Sequence, residues 1–386
     1  MTRNVLFIAI AIAIFLAGSC IDPYNPPEIA SSEPYLIVDG LVDLNSENAR
    51  VILVHSQGLN APGDPWRESN ATVTITVNGS QTFALPETAP GEYTAVGLPI
   101  SPGDQCQLRI QTAGGEEFVS ETVTSRETPP IDSVTWTANP NQLEIEVNTH
   151  DPTGNTRYYR WKYEQTVMYR STHGSSYIWD TELQEVRGRN LDEQIFECWK
   201  TTPSSNIGVF STKGLSEDIV SKHIIVSFPS TAWELRTKYS ILVSQFAIDE
   251  DEFNFWTQLK KNTESIGTIF DPQPSQIPGN IHSVNPSGQK VFGYFSVGSS
   301  KEKRLFISYQ QLPYKASEYE TGYPGCGYFL RDTLLLADFY DGSKRELLID
   351  AIYDGPALIG YFTAENRCID CRIAHGGINV KPDFWE

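Results

Sequence analysis

Short runs in which apolar and polar residues alternate, each closed by a turn signal, recur along this chain and confine it to β architectures. Val73, Ile75 and Val77 alternate with Thr72, Thr74 and Thr76 ahead of Asn78-Gly79. Leu143, Ile145 and Val147 alternate with Glu144 and Glu146, and Tyr159, Trp161 and Tyr163 with Arg160 and Lys162. A period of two puts one set of side chains on one face of a pleated strand, so these runs read as half-buried strands. Tyr35–Gly40 and Val51–Val54 add further strands, and Pro90-Gly91-Glu92-Tyr93 and Pro102-Gly103-Asp104 mark turns. Spaced strands without intervening helices predict an immunoglobulin-like β-sandwich over 33–127.

Thr128-Pro129-Pro130 breaks the chain, and Ile131-Asp132-Ser133-Val134 opens a second strand series. The expected architecture is therefore mainly β, with tandem immunoglobulin-like β-sandwich domains. The second is predicted over 131–386, with Ser171–Glu197 as an insertion and a disulfide-fastened C-terminal extension. The runs Val291–Val297 and Leu305–Tyr309 are assigned to this second domain. One short helix is expected, where Asp249 and Glu252 form a capping-box pattern and Phe253, Trp256 and Leu259 recur at helical spacing. The acids Asp249 to Glu252 are read as complementing the dipole of its first turn.

Two registers compete after Asn78-Gly79. A two-residue turn sets Ser80, Thr82 and Ala84 on the Val73 face, whereas a three-residue loop sets Phe83 and Leu85 across from Ile75 and Val73. The second buries more apolar area but leaves Ser80 where glycine is usual.

The 48 Asp and Glu outnumber the 29 Lys and Arg, giving a net charge of -19. With no cluster of basic residues to neutralise phosphates, nucleic acid is excluded as a partner.

Arg3 precedes an apolar run from Val5 to Ala17, followed by Gly18-Ser19-Cys20. The run is too short for a hydrocarbon core that needs about 20 residues, so residues 1–19 are read as a signal peptide. Leu16-Ala17-Gly18-Ser19-Cys20 resembles the lipobox of bacterial lipoproteins, with Cys20 as the lipidated residue and outer-membrane lipid as its partner. Residues 20–32, with Pro23, Pro26 and Pro27, form a stiff tether. Their early acids resemble the signal by which Bacteroidota carry lipoproteins to the cell surface.

Five further cysteines are present. In an oxidising compartment they tend to pair, and the odd number leaves one over. Cys106, in a first-domain strand, is expected to be a buried free thiol, and Cys198, Cys326, Cys368 and Cys371 are the disulfide candidates. Joining Cys368 to Cys371 would close a small strained ring, so each is expected to reach Cys198 or Cys326, in an order the sequence leaves open. The competing reading, a zinc site from Cys368, Cys371, His375 and Cys326, lacks the second closely spaced ligand pair of common zinc modules. Phe384 and Trp385 are expected to pack as a terminal plug.

No Gly-x-Ser-x-Gly elbow, His-Glu-x-x-His helix or phosphate loop occurs. His55, His150, His173, His223, His282 and His375 are scattered. No catalytic residue, metal ligand or cofactor is assigned, and the protein is expected not to be an enzyme. Trp66, Tyr158, Trp179 and Tyr328 are aromatics that could stack on sugar faces.

Several motifs carry a resemblance when taken in order: Leu36-Ile37-Val38-Asp39-Gly40, Pro90-Gly91-Glu92-Tyr93, Gly267-Thr268-Ile269-Phe270-Asp271-Pro272-Gln273-Pro274, Pro278-Gly279-Asn280-Ile281 and Val291-Phe292-Gly293-Tyr294-Phe295. Cys368-Ile369-Asp370-Cys371, Gly376-Gly377 and Lys381-Pro382-Asp383-Phe384-Trp385 complete the set. Together they resemble the domain of unknown function 4249 family of Bacteroidota outer-membrane lipoproteins. The resemblance implies a lipid-anchored protein whose gene commonly neighbours that of a TonB-dependent receptor, and it implies no catalytic residue. The expected role is a non-enzymatic accessory or ligand-binding component beside such a transporter. A surface adhesin or glycan-binding module is the alternative.

Overall fold

The computed structural model describes residues 34–57, 63–264, 279–285, 288–315, 322–332 and 346–386. Cys20, the signal peptide and the tether lie outside them, as do residues 267–274 of the resemblance.

The first sandwich closes two sheets over one core. One sheet runs β20 (Val291–Gly298), β1 (Leu36–Asp43), β2 (Asn48–His55), β6 (Glu92–Val96) and β5 (Glu87–Ala89). The other runs β19 (Ile281–Ser283), β8 (Glu117–Ser120), β7 (Gln105–Gln111), β3 (Thr72–Val77) and β4 (Gln81–Leu85), with β9 (Val123–Thr124) beside β7. Val38, Val51 and Leu53 meet Val73, Ile75, Leu108 and Phe118 between them. The β3–β4 register is that of the three-residue loop, with Val73 opposite Leu85 and Ile75 opposite Phe83. Asn78 and Gly79 take the left-handed conformations, at φ 49° and 68°, so Ser80 is not asked to.

One boundary differs from the sequence reading. β19 and β20 belong to the first sandwich, not to a second domain running unbroken from 131 to 386. β20 pairs in parallel with β1 along its whole length, from Leu36 opposite Val291 to Asp43 opposite Gly298, and Ile281, Phe295 and Val297 enter the first core. The physical reason is an open edge: β1 has β2 on one side only, and the chain returns to cover the other.

The second sandwich is formed from β10 (Ile131–Ala138), β11 (Gln142–His150) and β17 (Ile219–Pro229) against β15 (Glu197–Pro203), β12 (Tyr158–Arg170), β18 (Lys238–Ala247) and β21 (Ser300–Ser308), with β16 (Gly208–Ser211) also on β12. Leu143, Ile145 and Val147 pack on Tyr159, Trp161, Tyr239 and Val243. The stretch read as an insertion carries a hairpin, β13 (Tyr177–Asp180) and β14 (Glu185–Gly188). It covers a third sheet of β22 (Phe329–Asp332), β24 (Ala357–Glu365) and β23 (Glu346–Asp354), where Tyr177, Trp179 and Val186 pack on Leu348 and Tyr361.

Helix α1 (Glu250–Glu264) sits where the capping pattern places it, with Asp249 Oδ1 accepting from the Glu252 amide at 2.8 Å. Glu252 and Phe255 are its buried residues, and Phe253, Trp256 and Leu259 are half-buried. Phe255 packs on Phe292 and Tyr294 of β20, and the Arg160 guanidinium of β12 lies 3.5 Å over the Trp256 ring. The helix is thus a wedge between the two sandwiches. Short helices α2 (Asn366–Ile369) and α3 (Cys371–His375) follow β24 and were not anticipated. No helix among the described residues is long and apolar enough to cross a membrane.

Candidate functional site

β12, β18 and β21 run antiparallel in register, Met168 opposite Lys238 and Lys238 opposite Ser308. The end of β12, the start of β18 and the end of β21 therefore lie together at one rim of the sheet. Loops at such a rim carry side chains out of the ladder while the strands hold them in place. Tyr169 and Arg170 finish β12, Trp233 to Thr237 lead into β18, and Tyr309 follows β21. With Phe196 and the segment Tyr323 to Gly327 they enclose a cleft of about 890 Å³.

Its floor is aromatic. Trp233 carries His375 stacked on its ring at 4.1 Å between centroids and 7° between planes, and the edges of Tyr169 and Tyr323 meet His375 at 5.0 and 5.1 Å. The Tyr169 hydroxyl donates to the Cys371 carbonyl and accepts from the Gly377 amide, both at 2.9 Å, which fixes the ring. Burial pushes the Tyr169 and Tyr323 phenols up, so both stay protonated, and burial with help from Lys200 pulls the His375 imidazole down toward its neutral form.

Two disulfides set the walls. Cys326, itself in the lining, is joined to Cys368, and Cys198 at the start of β15 is joined to Cys371, which opens the helix that carries His375. Cys106 is a buried free thiol whose burial pushes it up to about 11. Among the described residues no group of three or more His, Cys, Asp or Glu could hold a metal ion.

The rim brings two cations to the cleft. Arg170 directs Nε and Nη2 at the same Glu197 oxygen, each at 2.9 Å. Arg236, exposed, has no ion pair among the described residues. Neither arginine was singled out by sequence reasoning, because the lining comes from five separated stretches and no local motif unites them.

The aromatics proposed from sequence do not converge. Trp66 lies on the first sandwich, 62% exposed and stacked on His55 at 3.9 Å; His55 Nε2 is 2.8 Å from Glu68 and Nδ1 is 3.0 Å from Gln289. Tyr158 meets Phe253 of α1, Trp179 packs on the third sheet, and Tyr328 stands exposed beside Phe362. Of the scattered histidines, His55 is buried, and His223 lies between Trp161 and Phe210, at 4.9 Å from each. At the terminus Trp385 is buried against Trp199 and Phe306, whereas Phe384 is partly exposed beneath Arg304, so the plug is Trp385.

Fold and cleft together define a mainly β protein of two interlocked sandwiches with an aromatic, disulfide-bounded cavity. The chain belongs to the family described as Domain of unknown function (DUF4249), whose pattern matches residues 21–304. The resembling motifs from Cys368 onward fall outside that match. No functionally curated protein matches the sequence. Among solved structures the chain is similar to the FN1-FN3 domains of chicken CNTN1, at 13% identity over 57% of this chain and 62% of that one, with a TM-score of 0.19. It thus spans less than two thirds of that fragment. It is also similar to a DUF3823 family protein from Parabacteroides merdae, at 7% identity over 56% and 92% of the two chains with a TM-score of 0.14. A third is chitinase ChiA74 from Bacillus thuringiensis, at 12% identity over 54% and 30% with a TM-score of 0.15.

Proposed function

We propose that this chain is a non-enzymatic, lipid-anchored accessory protein of the bacterial outer membrane that holds a ligand for a TonB-dependent transporter. The cleft between Trp233, Tyr309 and Tyr323 is its binding site. The observation that carries the reading is the lining itself: aromatics, arginines, hydroxyls and glycines, which suit binding of a ligand. Cys20 supplies the anchor and the proline-rich tether lifts the sandwiches from the bilayer. A single acyl chain would hold only marginally, so stable anchoring requires more than one. The test is affinity purification from mildly solubilised outer membranes. A transporter is expected to accompany the wild-type chain, and Cys20→Ala is expected to lose both palmitate label and membrane partitioning. Recovery without any transporter, or continued labelling of the variant, contradicts the proposal.

A second reading, a glycan-binding surface module, is favoured by Trp66. Its ring is held flat on a His55 that Glu68 and Gln289 fix, with most of its surface free. Glycan-array binding abolished by Trp66→Ala, with transporter recovery unchanged, supports this reading over the first.

A further inference from the structure

We propose that the cleft takes an acidic carbohydrate, a short oligosaccharide bearing carboxylates; this rests on the cleft being the ligand site.

The first ground is charge. Acids exceed bases by 48 to 29 over the chain, yet the charged side chains lining the cleft are Arg170 and Arg236. Arg170 is already compensated by Glu197, but both of its contacts fall on one carboxylate oxygen. Arg236 has no counterion among the described residues. A guanidinium offers a planar fork that matches a carboxylate in two parallel hydrogen bonds, so the missing partner is supplied most naturally by the ligand.

The second ground is shape. Trp233 and Phe196 are half-buried and Tyr309 is 38% exposed, so apolar ring surface is offered to the cavity without being covered by the protein. Thr172 and Thr237 add hydroxyls at its edge. A sugar ring has the complementary form, an apolar face with hydroxyls around its rim, and a uronic acid adds a carboxylate at that rim. An inorganic anion would satisfy Arg236 and leave the aromatic surface wet; a neutral sugar would cover the rings and leave the guanidinium unpaired. The cavity lies within the usual size range for small-ligand sites.

The experiment is calorimetric titration of the detergent-solubilised full chain with trigalacturonate, with its fully methyl-esterified form, and with inorganic phosphate. Trigalacturonate is expected to bind about tenfold more tightly than the ester, the size of one charge-assisted contact, and phosphate to bind weakly or not at all. Arg236→Gln is expected to abolish the preference while leaving ester affinity within about twofold. Tyr309→Ala, at an exposed position, is expected to weaken both sugars together. Equal affinity for acid and ester, or equal loss of both in Arg236→Gln, overturns the acidic assignment, while an effect of Tyr309→Ala keeps the cleft as the binding site. Sugar binding indifferent to both substitutions places the ligand elsewhere, and the cleft reading then fails as well. Absence of binding by either sugar at millimolar concentration overturns the carbohydrate assignment, and tight phosphate binding replaces it with a simple anion site.

Discussion

Asn280 shows how much one side chain can fasten. Its amide donates to the Phe295 carbonyl and its oxygen accepts from the Phe295 amide, both at 2.8 Å, and the residue is buried. Two residues away along β20, Gly293 adopts φ 147°, and a Cβ there would stand 1.9 Å from the Val38 carbonyl oxygen. Gly279-Asn280-Ile281 and Gly293, legible in the sequence only as part of a resemblance, are thus the device that seats the returning segment on β1. Asn280→Ala strands one buried N–H and one buried carbonyl, and an unmade partner costs about 1–3 kcal/mol each. We expect a loss of roughly 3 kcal/mol, read as a lowered midpoint of the first-sandwich transition in urea. An unchanged midpoint would show the lock to be dispensable.

A second residue-scale expectation concerns acid. His223, walled by Trp161 and Phe210, is pulled down to about 4, first by burial and then by Lys260. In the unfolded chain an imidazole titrates near 6.5. Because the folded value is depressed, the unfolded state binds the extra proton first. Stability is unaffected above about pH 6.5 and falls as pH drops toward 4. After discounting for partial exposure the loss is about 2 kcal/mol by pH 4. His223→Gln should flatten that part of the stability-versus-pH curve; an equally steep wild-type and variant curve would assign the acid sensitivity to other groups.

At the scale of elements, the alternating strands and the Asp249 cap of α1 could be read directly, since period and turn chemistry are local properties. The destination of β20 could not. Val291–Gly298 is nearly continuously apolar because a strand flanked on both faces hides its partner, and nothing in its own sequence says which sandwich it joins. The same limit applies to Glu252, which the sequence presents as half of a capping box and an acid complementing the helix dipole. The structure turns it inward, accepting from Ser296 at 2.7 Å and from Trp256 Nε1 at 3.0 Å, with Arg160 at 3.6 Å. Burial pushes this carboxyl up and the guanidinium down. The pair therefore orients α1 between the sandwiches more than it stabilises them. Removing one partner leaves a buried charge and should cost about 3–5 kcal/mol, whereas replacing both by apolar residues should cost far less. Thermal unfolding of Glu252→Leu, Arg160→Met and the double variant checks this. A double variant as unstable as the sum of the singles would refute coupling.

For the whole molecule, the two sandwiches are tied by paired crossings. Thr128 donates its amide to Ser299 Oγ at 2.8 Å and its hydroxyl to the Ser299 carbonyl, and accepts from the Ala247 amide, so the outgoing and returning connections hold each other. The third sheet and the tail are held to the second sandwich and its insertion by scattered bonds, such as those between Trp199 and Ile378 and from the Ser176 amide to the Ile349 carbonyl, and the disulfides close them covalently. Cys198–Cys371 spans 173 residues and Cys326–Cys368 spans 42, loops for which chain entropy predicts roughly 4–5 kcal/mol each. That cysteines would pair was legible from their number and compartment; that the pairs would wall a cleft was not, because its lining is assembled only when three strand ends meet. Reduction should therefore act regionally. Hydrogen exchange on the reduced chain is expected to lose protection over 346–386 and at Tyr169 and Trp233, where Cys371 no longer presents His375, while β1 and β3 exchange as before. Cys326→Ser with Cys368→Ser should likewise abolish binding in the cleft without lowering the first-sandwich transition. Loss of protection in β1 and β3 at the same rate as in 346–386 would mean that the disulfides support the entire fold, and the division into a self-sufficient sandwich pair and a stapled binding rim would have to be abandoned.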